Sequence, residues 1–301
     1  MNAVHEALAQ AQGILDLRSA AAYSAGHLPQ ATWLPADQLA VRLNHLPAAP
    51  AKLFLMGTAA QIEQADVCLV ERGDRVSGRL LLADEWAWPA LAQAHGLATQ
   101  TGMTSQRLWQ PSALVAEFVR DYFPGYQFNQ TKPRFLDLGC GGGRDAVYLA
   151  LQGAEVVAID KEIRVLERAR HLAQTHGVSV AFRCGDLNKS EDVFSVLSEF
   201  SGHFDGILGV RYLNRTLWSH LPDWLSEKGY LLWETFVDLG EPLCSPKNPN
   251  FLLKPGELAE VFSGWDRIID RIVRLDDGRP INQFLAQKCE GRCKNDHKEC
   301  L

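Results

Sequence analysis

No run of this 301-residue chain is apolar for long enough to cross a bilayer as a helix. A basic excess is missing too. The formal net charge is −6, which argues against the broad positive footprint of a nucleic-acid binder and leaves room only for a local basic patch. The opening residues, Met1-Asn2-Ala3-Val4-His5-Glu6, lack the basic start and apolar run of a secretory signal, so a cytoplasmic location is expected. The cysteines number seven, an odd count, and in such a chain they read as mostly reduced thiols rather than a disulfide framework. No internal repeat is apparent. What is present is the composition of a globular protein, 47% hydrophobic and 22% charged, long enough for two domains with a core each.

The densest signal lies at 134–145, Arg134-Phe135-Leu136-Asp137-Leu138-Gly139-Cys140-Gly141-Gly142-Gly143-Arg144-Asp145. An apolar strand runs into a glycine loop, and a helix follows. Glycines let the backbone turn sharply and approach a ligand without a Cβ in the way. The helix start then offers free N–H groups. A dinucleotide fingerprint would need a glycine at 144, which is Arg. An acid two residues before the first glycine also repels a pyrophosphate and suits an ammonium group. S-adenosylmethionine carries an ammonium beside its sulfonium and no phosphate. The segment resembles motif I of the class I S-adenosylmethionine-dependent methyltransferases. Taken alone, the loop also fits a tight strand–helix turn that binds nothing.

Two later acids stand at matching places. Val156-Val157-Ala158-Ile159-Asp160 is an apolar strand ending in an acid about 20 residues on, where a carboxylate grips ribose hydroxyls. Residues 178–187 read as a third strand ending in Gly185-Asp186-Leu187. A single terminal acid is usually a strand-end or cap residue; three at successive strand ends are harder to explain that way. In the class I family the acid matching Asp186 meets the adenine amino group. The resemblance implies a doubly wound, seven-stranded sheet and a cofactor set of Asp137, Gly139, Cys140, Gly141, Arg144, Asp160, Lys161, Asp186, Leu187 and Val210.

Further stretches narrow the likeness. Gly143-Arg144-Asp145-Ala146-Val147-Tyr148-Leu149-Ala150, Tyr212-Leu213-Asn214-Arg215, Glu234-Thr235-Phe236 and 248–258 resemble the tellurite-resistance type of small-molecule methyltransferase, over roughly 110–288. That resemblance implies methyl transfer to a small acceptor, with a thiol or chalcogen species favoured. Methyl transfer is an in-line displacement that holds the acceptor atom about 3 Å from the methyl carbon. A soft anionic acceptor needs no general base, whereas a neutral amine or hydroxyl does. Arg211, Tyr212, Arg215 and Glu234, after the fourth and fifth strands, are the candidate catalytic residues. A guanidinium fork suits an oxyanion or carboxylate. Capping by Arg215 and a loop hydrogen bond from Glu234 are the plainer roles. An RNA or protein methyltransferase and a cofactor-binding regulator without turnover are the rival readings.

Residues 1–98 form a separate α/β pattern. Gly13-Ile14-Leu15-Asp16-Leu17-Arg18 followed by Tyr23-Ser24-Ala25-Gly26-His27-Leu28-Pro29-Gln30-Ala31 resembles the start of a rhodanese-like domain. A helix near 36–45, a central strand at Lys52-Leu53-Phe54-Leu55-Met56-Gly57 and a helix over 59–72 fit the same plan. An active sulfurtransferase carries a nucleophilic cysteine straight after that strand. Here the place is taken by Met56-Gly57-Thr58-Ala59-Ala60-Gln61. Cys68 lies inside the next helix and reads as core filler. The expectation is a domain without sulfurtransferase chemistry, available for packing or for docking a protein partner.

The remaining expectations concern elements. Residues 99–112 read as a linker, with Ser112 capping a helix from Ala113 to Tyr122 that is positioned to cover the cofactor. Trp109 and Tyr122 are candidate pocket walls, or interdomain packing. The methyltransferase-like domain spans 113–288. It holds helices at 161–176 and 215–227, the latter ending near Lys228-Gly229, and a helix opened by Pro255. His203-Phe204-Asp205-Gly206-Ile207-Leu208-Gly209-Val210 is the fourth strand, with His203 at its mouth, and an antiparallel pair closes the sheet. Loop 237–254, with Cys244 inside it, is long enough to be a lid. The tail 289–301 gathers Cys289, Cys293, His297 and Cys300, a set that matches a zinc donor group by type but lacks paired Cys-x-x-Cys spacing. It is expected to bind no metal.

Overall fold

Strand and helix alternate along nearly the whole chain, as apolar runs bounded by turn residues require. The computed structural model describes residues 3–123, 132–200, 202–241 and 245–290. It divides into two units, Met1–Gln110 and Pro111–Leu301. Cys244 and the tail from 291 onward lie outside the described residues.

The first unit contains α1 (Ala3–Ala9), β1 (Gly13–Asp16), α2 (Ala20–Ala25), β2 (Ala31–Trp33), β3 (Lys52–Thr58), α3 (Ala59–Arg72), β4 (Arg75–Leu82) and α4 (Trp88–His95). Its four strands are all parallel, in the order β2-β1-β3-β4. The helix expected near 36–45 is two 3-10 turns, Ala36–Val41 and Leu43–His45. The run between Pro35 and Pro47 is short, and short pieces favour that tighter winding. β3 passes into α3 with no intervening loop. Thr58 Oγ1 accepts from the Gln61 N–H, and Gln61 Oε1 accepts from the Thr58 N–H at 2.9 Å, a reciprocal cap. Cys68 is half-buried against the core of Leu15, Leu53 and Leu69. Residues 99–106, expected as a connection, are hydrogen-bonded along this unit. Gln100 and His27 exchange backbone bonds at 2.9 Å, and the Tyr23 hydroxyl donates to Thr104 O at 2.6 Å. Their backbone polar groups find protein partners instead of water.

The second unit begins with α5 (Ala113–Asp121), capped by Ser112 as expected. There follow β5 (Arg134–Leu138), α6 (Arg144–Leu151), β6 (Glu155–Asp160), α7 (Ile163–Thr175), β7 (Ala181–Cys184), α8 (Ser190–Ser198), β8 (Phe204–Val210), α9 (Leu221–Trp224), β9 (Leu225–Phe236), α10 (Glu257–Val261), β10 (Asp266–Arg274) and β11 (Pro280–Gln287). The seven strands run in the order β10-β11-β9-β8-β5-β6-β7, with β11 antiparallel to both its neighbours. Chain order reverses between β5 and β8, and α/β sheets take ligands outside the carboxyl ends of strands at such a point. Phe135, Leu136, Ile207, Trp233 and Phe284 form the centre of the core, each at most 1% exposed.

Several expectations need correction. The helix over 215–227 is a 3-10 turn at Arg215–Leu217 and a single turn of α9, after which β9 already begins. Lys228-Gly229, read as a helix cap, is a kink inside β9. Lys228 has φ +62, and Gly229 O accepts from the Lys288 N–H at 2.9 Å. Left-handed residues end helices and kink strands alike, so the dipeptide is ambiguous in sequence. His203 precedes β8 and therefore lies at the amino end of that strand, away from the crevice. Helix α5 starts beside α6, where the Ser112 N–H donates to Asp145 Oδ1 at 2.7 Å. It lies across the sheet, with Phe118 against Phe135 and Tyr230 at 5.9 and 5.1 Å between centroids. Tyr122 joins Tyr230 there. Trp109 is 1% exposed, and Tyr122 lines neither cavity of the second unit.

Candidate functional site

The glycine turn joins β5 to α6, and Gly139, Gly141 and Gly143 all have positive φ, at +74, +51 and +75. Each has a different reason to lack a side chain. A Cβ on Gly139 would stand 2.7 Å from Tyr212 Cγ, and one on Gly143 would stand 2.7 Å from Ala169 Cβ. A Cβ on Gly141 would meet nothing within 4 Å. The first and third glycines thus serve packing, while the middle one keeps its outer face open. The turn is also held from the side, because the Gly141 N–H donates to Asp160 Oδ2 at 2.9 Å. Asp160 Oδ1 accepts from the Glu162 N–H at 3.0 Å, so the carboxylate at the end of β6 is fixed between two backbone donors.

A cavity of about 400 Å³ opens over the carboxyl ends of the strands. Gly139, Asp160, Lys161, Asp186, Leu187, Arg211 and Tyr212, all expected from the sequence, line it. Phe236, Ser245, Pro246 and Phe251 close the far side. A second cavity, about 530 Å³, lies at the amino ends of β5, β6 and β7 beside Lys132, Arg134 and Phe200. It is remote from every candidate residue and from the edge where such sheets bind ligands.

The cavity is polar in the electrical sense. One end carries Asp160 and Asp186. The Asp186 carboxyl is held below its ordinary range, chiefly by the Asn188 N–H, which donates to Oδ1 at 3.1 Å. Beneath the turn, two further acids are fully enclosed. Burial pushes Asp137 well above the usual carboxylate range, and the charges of Asp145 and Asp160 add to the shift. Asp145, whose Oδ1 accepts from the Ser112 N–H at 2.7 Å, is pushed up to about 6, again mainly by burial. Among the described residues, Asp137 Oδ2 finds no hydrogen-bond partner. Asp137, buried and beside the charges of Asp145 and Asp160, sits in an environment that a cation relieves. Asp137 itself is 1% exposed, so it lies under the turn and does not line the cavity.

The opposite end carries Arg211. Its backbone is left-handed at φ +58, uncommon for a side-chain-bearing residue. The Arg211 N–H donates to Glu234 O at 2.6 Å, its Nε lies 3.5 Å from Glu234 Oε1, and its guanidinium stands 5.3 Å from the Phe236 ring centroid. Tyr212 packs on Gly139, and its carbonyl accepts from Trp233 Nε1 at 3.1 Å. Trp233 in turn lies so close under Gly209 that a Cβ there would be 2.8 Å from the indole. Burial pushes the Tyr212 hydroxyl up to about 12.

The other expected residues are placed apart from the cavity. Arg215 forms a two-pronged pair with Glu257, with Nη2 2.8 Å from Oε2, and donates to Asn250 O and Leu252 O. It secures the far end of loop 237–254, whose base is closed by a bridge between Val237 and Leu253. Glu234 is 1% exposed and sits behind Arg211, where its Oε2 accepts from Gln283 Nε2 at 2.8 Å. Cys140 and Gly141 within the turn, Arg144 at the start of α6 and Val210 at the end of β8 do not line the cavity. Burial raises the Cys140 thiol well above its ordinary value, so it is no nucleophile at neutral pH. Gln283 and Trp233 carried no sequence signal of a role, because both lie inside strands and act through cross-strand neighbours. Among the described residues, no group of three metal-ligating side chains occurs.

The geometry can be set beside known proteins. Residues 130–217 match the model of a family described as a methyltransferase domain. An uncharacterized protein of Schizosaccharomyces pombe is 26% identical over 92% of this chain and 93% of its own length. An uncharacterized methyltransferase of the same yeast is 34% identical over 28% of this chain and 53% of its own. A ubiquinone biosynthesis O-methyltransferase of Methylocella silvestris is 37% identical over 28% of this chain and 30% of its own. The chain thus spans about half the length of the second relative and under a third of the third. Among solved structures, TehB from Haemophilus influenzae has 18% identity and a TM-score of 0.44, over 64% of this chain and 80% of that one. Magnesium protoporphyrin IX methyltransferase from Synechocystis PCC 6803, with bound S-adenosylmethionine, has 20% identity and a TM-score of 0.42, over 58% and 76%.

Proposed function

We propose that the S-adenosylmethionine-dependent methyltransferase domain of this chain serves a small acceptor whose nucleophilic atom is already anionic, a thiolate or a chalcogen species. The residues present fit the cofactor. Gly141 leaves its outer face open, Asp160 stands fixed at the end of β6 for the ribose hydroxyls, and Asp186 waits at the adenine end. The crowded carboxyls of Asp137, Asp145 and Asp160 favour a positively charged ligand above them. When bound, S-adenosylmethionine supplies an electrophilic methyl carbon and a neutral thioether leaving group.

The acceptor reading rests on one observation. Among the described residues lining the far end of the cavity there is a cation, Arg211, and no base that works near neutral pH. The Tyr212 hydroxyl is pushed up to about 12, and Glu234 lies behind Arg211 in hydrogen-bond contact with Gln283. Such a site cannot strip a proton from a neutral hydroxyl or amine in the way general-base transfer requires. It can attract, orient and desolvate an anion beside Arg211, with Phe236, Pro246 and Phe251 excluding water. Some relatives carry the name of an oxygen-methylating enzyme; a neutral phenol would need a base that this wall does not offer.

The first unit fits a rhodanese-like plan without sulfur transfer. At the end of β3, where a sulfurtransferase holds its cysteine in a cradle of N–H groups, the Thr58–Gln61 cap occupies the helix start. The proposed role is docking of a protein partner, and the proposed location is the cytoplasm. The test is an extract supplied with methyl-labelled S-adenosylmethionine and the purified protein. Label entering small thiol or chalcogen compounds is the expected result. Label entering RNA or protein would overturn the acceptor assignment.

A further inference from the structure

A row of polar side chains crosses the sheet from the cavity to its far edge. Arg211 follows β8; Glu234, Gln283 and Arg271 lie on β9, β11 and β10. Strand register places Gln283 opposite both Glu234 and Arg271. Gln283 is 2% exposed in the middle of the sheet, where a polar amide is retained only if both its ends are bonded. Both are. Nε2 donates to Glu234 Oε2 at 2.8 Å, and Oε1 accepts from Arg271 Nε at 2.9 Å. The Arg271 guanidinium also pairs with Glu117 on α5. The amide can point only one way, because Arg271 has no acceptor and a carboxylate has no donor. At the cavity end, Glu234 meets Arg211 twice, through its carbonyl and through Oε1.

We propose that Gln283, backed by Arg271, is a positioning residue that fixes Glu234 and through it aims the Arg211 guanidinium at the acceptor's negative group. The inference rests on the proposed role of Arg211 and adds a residue that touches neither cofactor nor acceptor. A long, flexible cation gains affinity for an anion when its orientation is set before binding, and here the setting comes through two strands.

The test uses the full chain loaded with S-adenosylhomocysteine and titrated with mercaptoacetate, a thiol that carries a carboxylate, while the arginine Nε–H signals are followed by NMR. Calorimetry reports the affinity for S-adenosylhomocysteine separately. In Gln283→Met, mercaptoacetate should bind roughly tenfold more weakly, equivalent to one charge-assisted hydrogen bond. The Arg211 signal, identified by its absence in Arg211→Lys, should shift and sharpen, while S-adenosylhomocysteine affinity stays unchanged. Arg271→Met, at the half-exposed end of the row, should move the same two readouts less. It serves where Gln283→Met fails to fold. Unchanged mercaptoacetate affinity and an unmoved Arg211 signal in the variants, with Arg211→Met still abolishing binding, would overturn the positioning role alone. Mercaptoacetate binding that survives Arg211→Met would overturn the acceptor reading, and the positioning role with it.

Discussion

Replacing Asp145 with Asn should stabilise the second unit at pH 8 and leave it unchanged below pH 4. Asp145 is fully enclosed beneath the glycine turn, and burial, reinforced by the Glu234 charge, raises its carboxyl from 3.8 to about 6. A carboxyl with a raised value in the folded state binds its proton more tightly there than in the unfolded chain. Its contribution is therefore fully present below pH 4 and is lost as pH rises through about 6. The gap is about two pH units, each worth about 1.4 kcal/mol, so charging Asp145 takes up to about 3 kcal/mol from the folded state. Asn keeps the oxygen that accepts from the Ser112 N–H at 2.7 Å but carries no charge. For a unit of this size, about 3 kcal/mol corresponds to roughly 6–12 °C in melting temperature. Scanning calorimetry of both proteins across pH 4–8 measures it. A melting difference that is the same at pH 4 and pH 8 would refute the reasoning, since it would show that the charge of Asp145 is not what is being removed.

Gly139→Ala should weaken S-adenosylhomocysteine binding and lower the melting temperature, because it combines left-handed strain of order 1–3 kcal/mol with a Cβ 2.7 Å from Tyr212 Cγ. Gly141→Ala meets no neighbour and should fold more nearly normally while losing affinity; calorimetry on both separates packing from ligand approach. Binding of S-adenosylmethionine near pH 6 should release protons, since a cation above Asp137 and Asp145 lowers carboxyls that are raised without it; equal binding enthalpies in buffers of different ionisation enthalpy would count against it. Thr58→Ala should destabilise the first unit by about 1 kcal/mol through loss of its cap, read as a lower midpoint in urea, and the unaltered protein should show no thiosulfate sulfurtransferase activity.

Motif, rhythm and strand ends were legible because each depends on neighbours in sequence. The glycine turn, Asp160 and Asp186 needed only strand periodicity and a terminal acid, and the structure brings Gly139 and these two acids to one cavity. Residues whose role depends on what crosses over them were not legible. Arg215 looked like a second cation for the acceptor, and its guanidinium is spent on Glu257 and two loop carbonyls from a segment more than thirty residues away. Lys228-Gly229 looked like the end of a helix, and the long-range pairing of β9 with β11 decided otherwise. Asp137 was read as a ligand contact; only tertiary packing shows it enclosed beneath the turn.

The same distinction explains how the crevice divides its work. The acids at the ends of β6 and β7 lie on one side of β5 in the sheet, and Arg211, Phe236 and their supports lie on the other, built by β8, β9 and β11. Tyr212 stands on the seam, packed on Gly139 from the first half and held by Trp233 from the second. A cation bound on one side and an anion on the other would meet across that ring, each drawn by the charge of its own half. Removing the Tyr212 ring would leave both attractions in place and take away the wall that keeps the two groups in line. The loss should therefore fall on turnover far more than on the affinity of either ligand.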